Sequence, residues 1–278
     1  SLLGGVFFLP LLEAPKNLCL LIFIVCWLIN RIRAKDFGGK ISILDISVFT
    51  LAISGYISAI FTELHHKEWS GPNNLLLICI IFLMVYRSRY SPKQHKAILV
   101  TVIISTMIGT IEALIQQHYI KECAAKCLFE FHSVGHVNHS AIYLLLAFGA
   151  SFALTLSDWK THSLFNKAML ISSTACLAVI TIMTESRAAA GGIFLIVIFI
   201  LLGYLRHNLK IALTVFIFFS IATMTTLALK PPVIQKQLIK FENNSTISAR
   251  KKIWNSGLTA WQEYPVWGIG MKNYPLIT

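Results

Sequence analysis

Apolar runs of membrane-spanning length recur from one end of this chain to the other, each closed by a short polar stretch. A spanning helix needs about 20 apolar residues. Against that length the pattern predicts nine spans, at 1–12, 17–30, 41–62, 73–87, 97–118, 139–156, 168–184, 188–205 and 210–229. Backbone groups in hydrocarbon must be satisfied within their own segment, so the runs read as helices. The predicted fold is all-α, a polytopic helical transmembrane bundle of about nine spans over residues 1–229. Residues 230–278 read as an outer loop belonging to the same domain. The first run is short and opens at Ser1, as the end of a cut span would, and it lacks the basic leader and cleavage site of a signal peptide.

The loop carries one further helical pattern. From Thr246 to Gln262, Ile247, Trp254, Leu258 and Trp261 share a stripe, and Pro265 ends it. A helix of that kind lies along a membrane surface, so membrane lipids are expected neighbours. On the helical wheel Arg250 sits about 50° from the stripe's centre, whereas Lys252 points away. Gly268-Ile269-Gly270 then allows a tight backbone path.

Composition agrees with the periodicity. Of 278 residues, 56% are hydrophobic and only 13% charged, about half the charge of a soluble domain, which excludes a soluble enzyme. The net charge of +12 would suggest nucleic acid in a soluble protein, but here the basic residues collect in loops. Arg31, Arg33, Lys35, Lys40, Arg87, Arg89, Lys93, Lys96, Lys160, Lys167, Arg206 and Lys210 follow alternate spans, whereas the opposite loops hold Lys16, Lys67, Lys121, Lys126 and Arg187. Positive charge accumulates on the cytoplasmic side. The amino terminus is therefore expected inside and residues 63–72, 119–139, 185–188 and 230–278 outside, with nucleic acid excluded as a partner.

The polar chemistry gathers on the outer side. His132, His136 and His139 are spaced as three imidazoles on one helical face, a pattern that suits zinc or three merely solvated side chains. Gly135 interrupts the stretch and no carboxylate or cysteine completes a set, so no metal and no cofactor are expected. Cys123 and Cys127 lie in an outer loop and suit either a bridge or two thiols; Cys19, Cys26, Cys79 and Cys176 read as core residues. Glu185-Ser186-Arg187 joins two apolar runs with almost no loop, where a charge is costly unless paired or functional. Arg187 is an anchor reaching for headgroups, a partner of Glu185, or an anion site, since a planar guanidinium matches phosphate oxygens. The ionisable residues within spans are chiefly Asp45 and Glu112. That is sparse for a transporter or flippase, the reading from a different class.

Several segments, taken together, resemble the O-antigen ligase/polymerase superfamily, membrane glycosyltransferases that take a glycan from an undecaprenyl-diphosphate carrier on the periplasmic face. They are Gly135-His136-Val137-Asn138-His139-Ser140-Ala141, the Ser186-Arg187-Ala188 turn, and Arg250 through Trp254 and Gly257 to Pro265-Val266-Trp267-Gly268-Ile269-Gly270 and Asn273-Tyr274. An early stretch from Leu44-Asp45 through Ser54-Gly55 and Ser58 to Arg87-Ser88-Arg89-Tyr90-Ser91 is similar to the ligase branch.

The resemblance implies a GT-C-like fold in the bacterial inner membrane, metal-independent transfer, and Arg187 and Arg250 holding the carrier diphosphate. His136, Asn138, His139, Glu185, Ser186, Trp254, Gly268 and Gly270 are then expected at the substrates. For a ligase these are an undecaprenyl-diphosphate-linked glycan donor and a lipid A-core acceptor. O-antigen polymerases and protein O-glycosylating ligases use the same donor and are not separated by these motifs. The family's ligases also use a histidine in the long periplasmic loop, and residues 230–278 contain none. The base is therefore unassigned, and the missing carboxyl-terminal spans suggest a fragment of a longer protein.

Overall fold

The structure is a computed structural model that describes residues 1–62, 69–119, 130–131, 133–134, 137–157, 163–184, 186–205, 217, 245–270 and 273. Nine helices are present among them: α1 (Leu2–Phe8), α2 (Glu13–Ala34), α3 (Ile43–Phe61), α4 (Ser70–Tyr86), α5 (Pro92–Tyr119), α6 (Val137–Ser157), α7 (Leu164–Met183), α8 (Arg187–Leu205) and α9 (Ser245–Glu263). Five segments are long and apolar enough to cross a membrane: Glu13–Ala34, Ile43–Phe61, Pro92–Gln116, Val137–Ser157 and Leu164–Met183. Ser70–Tyr86 and Ala188–Ile200 are shorter apolar helices. The expected span at 1–12 contributes only the seven-residue α1, and that at 210–229 lies outside the described residues apart from Ile217.

The chain divides into two compact units, Ser1–Phe23 with Tyr90–Gln237, and Ile24–Arg89 with Leu238–Thr278. In the first unit α6 is the central helix, packed by α5, α7 and α8. Leu144, Ala147, Phe148 and Phe152 of α6 meet Ala113 of α5, Leu177 and Ile180 of α7, and Ile193 and Val197 of α8 in one core. Between helices in lipid no hydrophobic force operates, so close packing and hydroxyl bonds hold the bundle. Ser151 Oγ of α6 lies 2.7 Å from Thr174 Oγ1 and 2.9 Å from Ser173 Oγ, both on α7.

Small residues let α8 come close to α6. A Cβ on Gly192 would strike the side chain of Leu145, and one on Gly149 would sit 3.3 Å from Ile196 Cδ1. The two contacts advance together along both chains, so α6 and α8 run parallel. On the opposite flank the Ser105 and Tyr143 hydroxyls are 3.5 Å apart, while Ile103 packs with Ala150 and Leu154, so α5 runs antiparallel to α6.

The second unit is built on an α3–α4 hairpin. At one end Asp45 closes a capping box on α3, its carboxylate accepting the Ser42 N–H and the Ser42 hydroxyl, each at 2.7 Å. Its other oxygen accepts from Arg87 Nε at 2.9 Å, just past α4. Arg87 Nη1 also donates to the Phe37 carbonyl (2.7 Å), and Arg31 Nη2 of α2 donates to the Arg87 carbonyl (2.7 Å). The hydrogen bond to Asp45 raises the pKa of Arg87 above its ordinary value. Asp36 Oδ1 folds the adjoining loop by accepting the Gly39 and Gly38 N–H groups, which lowers its carboxyl pKa.

At the opposite end of the same hairpin Tyr56 donates to Asn73 Oδ1 at 2.7 Å. The tail after α9 docks here. Ser58 donates to the Trp267 carbonyl at 2.7 Å, and the Phe61 and Trp267 rings stack with centroids 4.5 Å apart. Gly268 and Gly270 take positive φ of 68° and 77°, and a Cβ on Gly270 would press on Thr62 and Asn273. The arginine-rich end and the α9 tail thus lie at opposite ends of α3, a helix of about 28 Å by its length.

Candidate functional site

The Asn138-His139 and Ser186-Arg187 motifs open helices and Gly268-Ile269-Gly270 makes a tight turn, and the local physics explains why. α7 ends at Thr184, whose hydroxyl donates to the Thr181 carbonyl at 2.7 Å and accepts the Ser186 N–H at 3.3 Å. Ser186 is the N-cap of α8: its carbonyl accepts the Ala190 N–H at 3.0 Å and its Oγ the Ala189 N–H at 3.4 Å. Arg187 is therefore the first residue of α8. Unsatisfied N–H groups and the positive end of the helix dipole add to a cation at that position.

Asn138 and His139 are exposed in the first turn of α6. By helical spacing Asn138 continues the Leu145–Gly149 stripe that faces α8, and His139 continues the Tyr143–Ala150 stripe that faces α5. The parallel register of α6 and α8 sets Arg187 level with Ser140, within a turn of Asn138. Ser140 itself accepts the N–H of buried Phe131 at 2.9 Å, fixing the approach to α6. Two helix N-termini carrying the predicted motifs thus share one end of the first unit, an arrangement that attracts anions.

Lys16, at the start of α2, is at this end too. Its Nζ donates to Ser133 Oγ at 3.2 Å, in the turn just before α6. Lys16 counted in the sequence only as one charge of a loop. Nothing in the local pattern pairs it with Ser133, 117 residues away.

Arg250 lies on α9 in the second unit, four residues before Trp254. Trp254 is 74% exposed, and Leu258 and Trp261 on the same stripe are also exposed. α9 instead buries Ala260, which lies off that stripe. Gly268 and Gly270 form the positive-φ turn that docks on α3. His136, Glu185, His132, Cys123 and Cys127 lie outside the described residues, as do the side chains of Arg187 and Arg250. The residues of the disulfide alternative and, apart from His139, those of the zinc alternative therefore lie outside the described residues.

The arrangement is that of a multi-pass helical membrane protein in which two motif-bearing helix starts share one end of the first unit. Residues 172–278 match the family model described as O-Antigen ligase. No curated protein and no solved structure matches the chain. The match begins within α7 and spans the Ser186-Arg187 helix start and the whole of α9.

Proposed function

We propose that the protein is an O-antigen ligase of the bacterial inner membrane, active on the periplasmic face. It transfers a glycan from undecaprenyl diphosphate to a sugar of the lipid A-core. The acceptor hydroxyl attacks the anomeric carbon, and undecaprenyl diphosphate leaves. Arg187 and Arg250 hold the diphosphate and neutralise charge as it develops, in place of a divalent metal.

The observation that carries this reading is that the family match includes both arginine positions, the first at a helix start where backbone dipoles reinforce its charge. The α6 turn of Asn138 and His139 borders that position and offers polar groups to the sugar. The α9 stripe keeps Arg250 at the membrane surface, the depth at which a lipid diphosphate presents itself.

Purified protein mixed in detergent with undecaprenyl-diphosphate-linked glycan and lipid A-core tests the reading. Formation of a core-linked glycan supports it. Elongation of the lipid-linked glycan instead would make the protein a polymerase, and no new glycolipid from either acceptor would refute transferase activity. In cells, loss of the gene is expected to strand lipid-linked polymer beside bare core.

A further inference from the structure

The proposed transfer makes no use of the arginine-rich end of the second unit. The turn after α2 and the end of α4 gather Arg31, Arg33, Lys35, Lys40, Arg87 and Arg89 there, against only the carboxylates of Asp36 and Asp45. Asp45 is taken up by Arg87 and its own helix cap. Asp36 gives one oxygen to the Gly38 and Gly39 N–H groups. A surplus of cationic charge remains at this end.

Two of the guanidinium groups are held ready for a ligand. Arg31 lies over the Trp27 ring, its Cζ 5.3 Å from the centroid, and donates Nη2 to the Arg87 carbonyl at 2.7 Å. The ring is fixed in turn, because Trp27 Nε1 donates to Ser88 Oγ at 3.1 Å and Ser88 donates to the Met84 carbonyl at 2.7 Å. That single bond leaves the other N–H donors of Arg31 for a further acceptor. Arg89 reaches the same turn. Its Nη2 lies 3.7 Å from where a Cβ on Gly39 would stand, it is exposed, and no hydrogen bond among the described residues engages it. Both arginines act on Asp36: the Gly39 and Gly38 N–H groups lower its carboxyl pKa most, and the charges of Arg31 and Arg89 lower it further. Arg33, two residues past Arg31, points about 160° away around α2.

We infer that this end of the second unit binds an anionic phospholipid, whose phosphate is held between Arg31 and Arg89. A planar guanidinium matches phosphate oxygens in pairs. The surroundings select a lipid over a water-borne anion. Ile32, Phe37, Ile41 and Ile43 stand among the cations at 65%, 57%, 75% and 84% exposure. Apolar side chains beside basic ones suit acyl chains and headgroups together, whereas an acidic protein or a nucleic acid would leave them in water. Trp27 lies one turn, about 6 Å, inward from Arg31 along α2, at the depth where the acyl chains begin. The site stands independently of the ligase reading.

The test uses the purified protein in phosphatidylcholine vesicles carrying bromine-labelled phosphatidylglycerol, compared with bromine-labelled phosphatidylcholine at the same content. The fluorescence of Trp27, taken as wild type minus Trp27→Phe, is expected to be quenched more strongly by the phosphatidylglycerol. Arg89→Gln is expected to lower that preference at least about fivefold, the worth of one basic residue at an anionic surface, with an unchanged unfolding midpoint in detergent. Arg33→Gln removes the same charge and is expected to change it far less. As a second readout, phosphatidylglycerol is expected to raise the unfolding temperature of the wild type more than that of Arg89→Gln. Equal quenching by the two lipids would overturn the inference. So would an equal loss in Arg33→Gln, which would mean diffuse charge, or displacement by glycerol 3-phosphate, which would mean an aqueous anion site.

Discussion

The hydroxyl of Ser58, one turn from the end of α3, donates to the backbone carbonyl of Trp267 at 2.7 Å, across 209 residues of sequence. This bond and the Phe61–Trp267 stack fix the chain leaving α9 to the end of a spanning helix. Ser58→Ala should lower stability by about 1 kcal/mol, the net worth of one hydrogen bond. Gly270→Ala should cost about 1–2 kcal/mol, because its φ of 77° is left-handed. Thermal unfolding in detergent measures both, and an unchanged midpoint in Gly270→Ala would refute the docked turn.

Arg87 joins three chain segments, through Asp45, Phe37 and Arg31. Arg87→Ala leaves Asp45 only its two Ser42 bonds and should lower the unfolding temperature. Arg87→Lys should not rescue it, since a single ammonium cannot reproduce the separate Nε and Nη1 bonds. A double-mutant cycle with Asp45→Asn checks the coupling; additive effects would count against it.

Arg187→Ala and Arg250→Ala should each reduce transfer by about 10²–10³, by analogy with loss of one oxyanion-hole donor. Lys252→Ala, on the far side of the α9 wheel, should leave transfer little changed. Membrane insertion of every variant is the control, and near-normal surface glycan with either arginine variant would remove the diphosphate role.

Gly192→Leu should loosen the α6–α8 contact by about 1–3 kcal/mol, the usual cost of overpacking. Gly191→Ala has open space at its Cβ and should stabilise α8 by up to about 1 kcal/mol. Opposite shifts in melting temperature are the expected result; equal shifts would argue against the register that levels Arg187 with Ser140.

The α9 stripe should contact lipid. In vesicles containing bromine-labelled phospholipid, the fluorescence contributed by Trp254 and Trp261, taken as wild type minus the double Trp→Phe variant, should be strongly quenched. Quenching by aqueous iodide alone would place the stripe in water.

Sequence periodicity determined the helical membrane character, the exposed apolar stripe of α9 and the helix start at Arg187. Those features depend on neighbours three, four or seven residues apart, which local spacing encodes. The motifs, by their resemblance, also pointed to the family that the comparison then found over residues 172–278. Tertiary structure alone decided that Asp45 belongs to Arg87, that Ser58 receives the tail, and that α6 packs on α8 in the register that levels Ser140 with Arg187. Such pairings depend on helix register, which is set by glycine-width contacts and hydroxyl bonds between distant segments. No residue's own neighbourhood in the chain specifies them.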